Sequence, residues 1–189
     1  MSVNALSSEE LYLRYLHGDE SGLRTLIERY GDNLTFYING YIHDLKQSED
    51  FMIEAFSRLL VKQPLFNENG FKTYLYKIGR NLAFSYLKKT RLQPCFYLEE
   101  LEYEPSRSDL AEDTLMNDEL SQVVGKSLRK INPEYREAIY LFYYEEMSYS
   151  EAAVVMKKNE KQLANLIYRG KQALKTIFEK EGITDAKYR

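Results

Sequence analysis

Between Phe71 and Arg91, Lys72, Tyr76, Arg80, Phe84 and Lys88 recur every four residues, with Lys77 and Asn81 beside them. On a helix this spacing gives a slowly drifting stripe that interleaves cations with aromatic rings. Such a stripe suits single-stranded or melting nucleic acid, because cations follow phosphates and rings stack on unpaired bases. The same stretch carries six basic residues and no acid. The plainer alternative is a solvated basic face with Phe84 or Tyr86 packed into a core. The block of cations favours nucleic acid.

A second constellation lies near the C-terminus. Helical segments there are medium, short and long, with a three-residue turn Lys157-Lys158-Asn159 between the last two. These are the proportions of a helix-turn-helix, whose second helix enters the major groove. Its groove-facing candidates are Lys161, Gln162, Asn165, Arg169 and Lys171. Asn and Gln can read adenine, whereas Lys and Arg hold phosphate or guanine. Helix lengths alone leave an ordinary three-helix bundle with a polar face as an equal alternative.

No catalytic constellation stands out: the chain has no Gly-rich phosphate loop, no His-based triad and no paired Cys. Glu145-Glu146 reads as a solvated turn. One Cys (Cys95) and two separated His (His17, His43) make neither an internal disulfide nor a structural zinc site. No metal and no cofactor are expected, and no enzyme.

Helical periodicity must position both constellations, and it runs through most of the chain. A first helix spans about Ser8 to Leu16, with Ser7 or Ser8 as N-cap and Gly18 as stop. Asp19 caps a long second helix, whose apolar stripe runs through Leu23, Leu26, Ile27, Tyr30, Leu34, Tyr37, Ile38, Tyr41 and Ile42. A third runs from about Ser48 to Lys62, stopped by Pro64, and a fourth from about Phe71 to Thr90. Pro64 to Gly70 is a loop. In the second half, helices are expected over about Thr114–Lys130, from Asn132-Pro133 to about Glu145, over Tyr149–Met156 behind a Ser148/Glu151 capping box, and over Glu160–Glu181. The fold class is therefore all-α. Two small helical bundles, residues 1–90 and 113–189, are joined by an acidic linker at 91–112, and the second bundle is the helix-turn-helix.

Composition narrows the class. Of 189 residues 44% are hydrophobic and 29% charged, with 17 Tyr, 9 Phe and no Trp, which argues for ordered, packed bundles. No apolar run reaches membrane-spanning length and no secretion signal is visible, so no membrane insertion and a cytoplasmic location are expected. A net charge of −3 argues against a nucleic-acid binder, but its distribution does not. The basic helix is followed by nine acids between Tyr97 and Glu119 against Arg107 alone. That acidic block is expected to weaken binding of free DNA.

Three stretches carry a family resemblance. Glu49-Asp50-Phe51-Met52-Ile53-Glu54-Ala55-Phe56 is similar to an E-D-L-x-Q-E-x-F segment, and Phe71 to Ala83 to F-x-x-W-L-Y-R-I-A-R-N-x-A. Ile131 to Ala138, followed by Met147 to Ala153, is similar to L-P-x-x-x-R-x-x and then L-S-Y-x-E-I-A. In this order and spacing the chain resembles the extracytoplasmic-function (ECF) group of bacterial RNA polymerase sigma factors over nearly its whole length. The resemblance implies a factor that binds core RNA polymerase and directs recognition and opening of promoter DNA. Asp50, Phe51, Glu54 and Phe56 would dock on the polymerase clamp helices. Lys72, Tyr76, Lys77, Arg80, Asn81, Phe84 and Lys88, with the Pro64–Gly70 loop, would recognise and melt the minus-ten element, Asn81 near the flipped base. The C-terminal candidates would meet the minus-thirty-five element and the polymerase flap.

The chain departs from the family in places. Ile53 stands where Gln is usual and Tyr74 where Trp is usual. The usual recognition-helix cations lie opposite Ala164 and Leu166, which leaves Leu166 free to face an apolar partner such as an anti-sigma factor or the flap. Two other readings are a stand-alone helix-turn-helix regulator and a sigma-like adaptor that reads DNA weakly.

Overall fold

A computed structural model of the chain describes residues 6–66, 70–97 and 124–182. Among the described residues there is helix and no strand. The first four helices are α1 (Ser8–Leu16), α2 (Glu20–Ile42), α3 (Leu45–Lys62) and α4 (Gly70–Thr90). Each begins where a side chain satisfies a backbone N–H that the helix leaves unpaired. Ser7 and Glu10 form a reciprocal capping box on α1, at 3.1 and 2.7 Å. Asp19 accepts from Ser21 N–H at 3.0 Å on α2, and Asp44 from Gln47 N–H at 3.1 Å on α3. The start of α4 is served from outside: Glu9 of α1 accepts from Phe71 N–H at 3.1 Å. His43 and Gln63 end α2 and α3 in the left-handed region. Leu26, Leu34, Ile38, Leu59, Phe71 and Leu75 are fully buried among the four helices, each stabilising the bundle by about 1.5–3 kcal/mol.

The C-terminal bundle contains helical residues 124–130, α5 (Pro133–Ile139), α6 (Tyr149–Met156) and α7 (Glu160–Glu181). The expected N-terminal half of its first helix, with the acidic block, lies outside the described residues. Asn132 caps α5 with Pro133 in its first turn. Ser148 with Glu151 and Asn159 with Gln162 form capping boxes on α6 and α7. The expected bounds of α1, α6 and α7 match those observed. One difference is informative: α5 runs on into a π turn, Tyr140–Tyr144, closed by Glu145 N–H donating to the Tyr140 carbonyl at 3.1 Å. Such turns widen a helix by one residue and often mark functional positions.

The two bundles are docked: α4 packs against α6. Arg91 takes the left-handed region after α4, and residues 92–97 then run back over α2. Tyr97 N–H donates to the Gly40 carbonyl at 2.6 Å, and the Phe96 ring is driven into the junction. Gly40 is required there, because a Cβ at that position would stand 2.5 Å from the Phe96 ring. Phe96 meets Tyr41, Tyr37 and Tyr140 at 4.9, 5.6 and 5.7 Å between ring centroids, so one aromatic cluster joins both bundles. The buried Arg136 donates to the carbonyls of Leu128, Arg129, Ile131 and Phe96 and so ties α5 to this strap.

Candidate nucleic-acid interface

The cation–aromatic stripe exists on α4, but docking divides it. At about 100° per residue, a four-residue step drifts by about 40° around the helix. Over its length the stripe therefore turns from the junction to the outside. Tyr76 is fully buried, Arg80 is 8% exposed and Lys72 is half-buried. Phe84, at the drifting end, is half-buried and Lys88 exposed, and Lys77 and Asn81 line up with them at i, i+4, i+7 and i+11. Phe84 and Asn81 border a cleft of about 790 Å³ that also takes in Lys88, Arg91 and, from the other bundle, Lys157. Sequence reasoning missed Lys157, the left-handed C-cap of α6, because only docking brings it to α4.

The buried half of the stripe is bonded to two glutamates of the C-terminal bundle. Arg80 Nε donates to Glu137 Oε1 at 2.7 Å and Nη2 to Oε2 at 3.3 Å. Tyr37 donates to the same Oε1 at 2.7 Å. Burial opposes the charge of Arg80, but the Glu137 carboxylate beside it prevails and holds the guanidinium protonated above its ordinary value. The guanidinium also lies 4.2 Å from the Phe84 centroid, a cation–π contact. Lys72 Nζ pairs with Glu145 Oε2 at 2.9 Å and donates to the Glu145 carbonyl, while Tyr140 donates to Oε1 at 2.8 Å. Burial, and then the Glu145 charge, push the Tyr76 hydroxyl well above its ordinary value.

Two expectations are corrected here. Tyr76 is core in this arrangement, among Tyr37 and the junction rings, and cannot stack on a base. Glu145 belongs to no solvated turn: it is 3% exposed, because the π turn brings it inward to Lys72 and Tyr140. Glu137 had a legible signal, since it shares a helix face with Tyr140 and Leu141, three and four residues on, and is itself 2% exposed. An acid on an apolar face requires a partner.

On α3, Asp50 is exposed, Glu54 half-buried and Phe51 half-buried against Tyr86, with ring centroids 5.7 Å apart. Phe56 is buried in the core, so it shapes this face from beneath and cannot itself dock. Glu54 accepts from Arg58 at 2.6 Å, an exposed pair worth under about 1 kcal/mol. Ile53 is exposed beside them.

On α7, Lys161, Gln162, Asn165, Arg169 and Lys171 are all exposed. Gln162 is committed locally: its Oε1 accepts from Asn159 N–H at 2.9 Å within the capping box. Lys171 turns toward Tyr143, with Nζ 5.7 Å from the ring centroid, and that hydroxyl raises its pKa. Tyr168, which the sequence reading passed over, stands exposed on the face of Lys161 and Asn165. Leu166 is half-buried. Among the described residues, no helix is long and apolar enough to cross a membrane, and no His, Cys, Asp and Glu cluster could hold a metal ion.

Residues 26–93 match the Sigma-70 region 2 family and residues 121–174 the Sigma-70 region 4 family. The chain is 27% identical over 169 residues to the ECF RNA polymerase sigma factor SigW of Bacillus subtilis, covering 84% of this chain and 89% of that one. It is 30% identical over 171 residues to the ECF sigma factor BldN of Streptomyces coelicolor, covering 87% of this chain and 63% of that one. In fold it is similar to the sigma factor RpoE solved in complex with the anti-sigma factor NepR from Bartonella quintana. That match has a TM-score of 0.58 and 18% identity, covering 83% of this chain and 96% of that one. Matched by both sigma-70 regions in order and by relatives of this group over most of this chain, the chain belongs to the ECF group of bacterial RNA polymerase sigma factors.

Proposed function

We propose that α4 is the promoter-opening surface of this sigma factor and α7 its duplex-reading surface. The observation that carries the reading is the row Asn81, Phe84 and Lys88, which borders a cationic cleft even with the bundles docked, with the half-buried Lys77 on the same helix face. Cations in that row follow the backbone of a melted strand and Phe84 offers a ring to an unpaired base. Exposed Asp50 with half-buried Phe51 and Glu54 forms the face of α3 that meets core polymerase. Catalysis belongs to the polymerase. The chain contributes specificity, and it favours the melted state by binding single strand better than duplex, a shift of population. As a sigma factor it acts in the cytoplasm on this reading, with core polymerase, promoter DNA and an anti-sigma factor as partners.

On α7, Lys161, Asn165 and Arg169 carry the duplex contact. Gln162 stabilises the helix start, and Lys171 lies to one side with Tyr143. That leaves fewer base readers than the motif offers, and it favours weak minus-thirty-five reading over a stand-alone regulator. The test is reconstitution with core polymerase and a randomised promoter library. Selected minus-ten sequences with a weak minus-thirty-five preference support the reading. Binding to core without any selection would reduce the chain to an adaptor.

A further inference from the structure

We infer that Glu137 and Glu145 form an internal latch that occupies the cations of α4 in place of nucleic-acid phosphates and keeps the free factor closed. The inference rests on the reading of α4 as the nucleic-acid surface. Each glutamate meets its cation as a phosphate would. Arg80 binds Glu137 through two nitrogens, at 2.7 and 3.3 Å, the forked geometry that Arg also uses on phosphate. Lys72 gives Glu145 one close point charge at 2.9 Å. Both carboxylates are buried and both come from α5 and its π turn, so a single rigid element delivers them together. Tyr37 donates to the Glu137 Oε1 that Arg80 also meets, and Tyr140 to Glu145 Oε1, and these two bonds fix the aim of the carboxylates. Tyr76 and Arg80 are buried and cannot reach a strand until α5 leaves, and Lys72 is held by Glu145, whereas Lys77, Asn81, Phe84 and Lys88 make no bond to α5 and stay within reach. A strand or the polymerase surface can therefore engage the open half first, and release of the latch adds the hidden half.

The test uses the full chain with Glu137→Gln and Glu145→Gln together. Dyes at Glu28→Cys and Lys175→Cys in a Cys95→Ser background report the distance between bundles. Anisotropy of a short fluorescent oligo-dT reports strand binding. The expected result is a fall in energy transfer with at least a tenfold gain in oligo-dT affinity. The salt dependence should steepen by about two further phosphate contacts. If energy transfer and affinity both stay at the parent values, the latch is overturned and the α4 reading stands. If energy transfer falls but affinity does not rise, the α4 reading fails and takes the latch with it. Should the double variant not fold by circular dichroism, Tyr37→Phe, which removes one hydrogen bond to Glu137, should shift both readouts the same way by a smaller factor. No shift in either would overturn the proposal.

Discussion

Arg80 of α4 and Glu137 of α5, 57 residues apart in the chain, form a buried ion pair at 2.7 Å across the junction of the two bundles. A pair of this kind contributes little net stability compared with apolar packing, but removing one partner strands the other charge. Glu137→Ala is therefore expected to weaken docking by about 3–5 kcal/mol, measured as the loss of the first step in urea unfolding. Glu54→Ala, which breaks only the exposed pair with Arg58, should change stability by less than about 1 kcal/mol.

The strap offers a steric test. Gly40→Ala places a methyl group 2.5 Å from the Phe96 ring and is expected to cost about 1–3 kcal/mol by overpacking. Phe96→Leu in the same chain should recover part of that loss in thermal melts. Phe96→Ala alone, which empties the centre of the aromatic cluster, should cost about 3–5 kcal/mol.

Docking should also fail in alkali. Burial first, and the Glu137 charge second, hold the Tyr37 hydroxyl well above its ordinary value, and Tyr76 is raised likewise beside Glu145. A group raised in the folded state contributes stability that is fully present below its unfolded value. That stability is lost as pH rises through the folded one. Docking is thus expected to be flat from neutral pH to about 9 and to weaken above about 10, the ordinary tyrosine value. Tyr37→Phe should blunt the decline, followed by energy transfer between the bundles.

At the start of α7, Asn159→Ala removes the cap that accepts from Gln162 N–H at 2.8 Å. The expected loss is about 1 kcal/mol from the C-terminal bundle. Gln162→Ala should cost less, and it should leave promoter selection unaltered in the reconstituted system, because its carboxamide already serves the helix end.

Helix ends and local caps were legible because they depend on neighbours three residues away: Ser7 with Glu10, Ser148 with Glu151. The α4 stripe was legible as a set of residues, but not its division. Whether Tyr76 stacks on a base or lies in a core is decided by α5 and its π turn, some sixty residues on, which local periodicity does not register. Glu145 was misread for the same reason. It sits at a chain turn between polar neighbours, and only the π turn directs it inward. Gln162 looked like a base reader because its cap partner Asn159 was counted as turn. Glu137 gave a signal that could have been used, an acid within the apolar face of α5.

Promoter opening by reconstituted polymerase tests the function most directly. Core enzyme with this chain should form open complexes at selected promoters, and core enzyme alone should not. The double reversal Arg80→Glu with Lys88→Glu should abolish opening, read by permanganate reactivity of the melted strand, while the variant still co-purifies with core. Opening that persists at the parent level with both charges reversed would contradict the assignment of α4 as the promoter-opening surface.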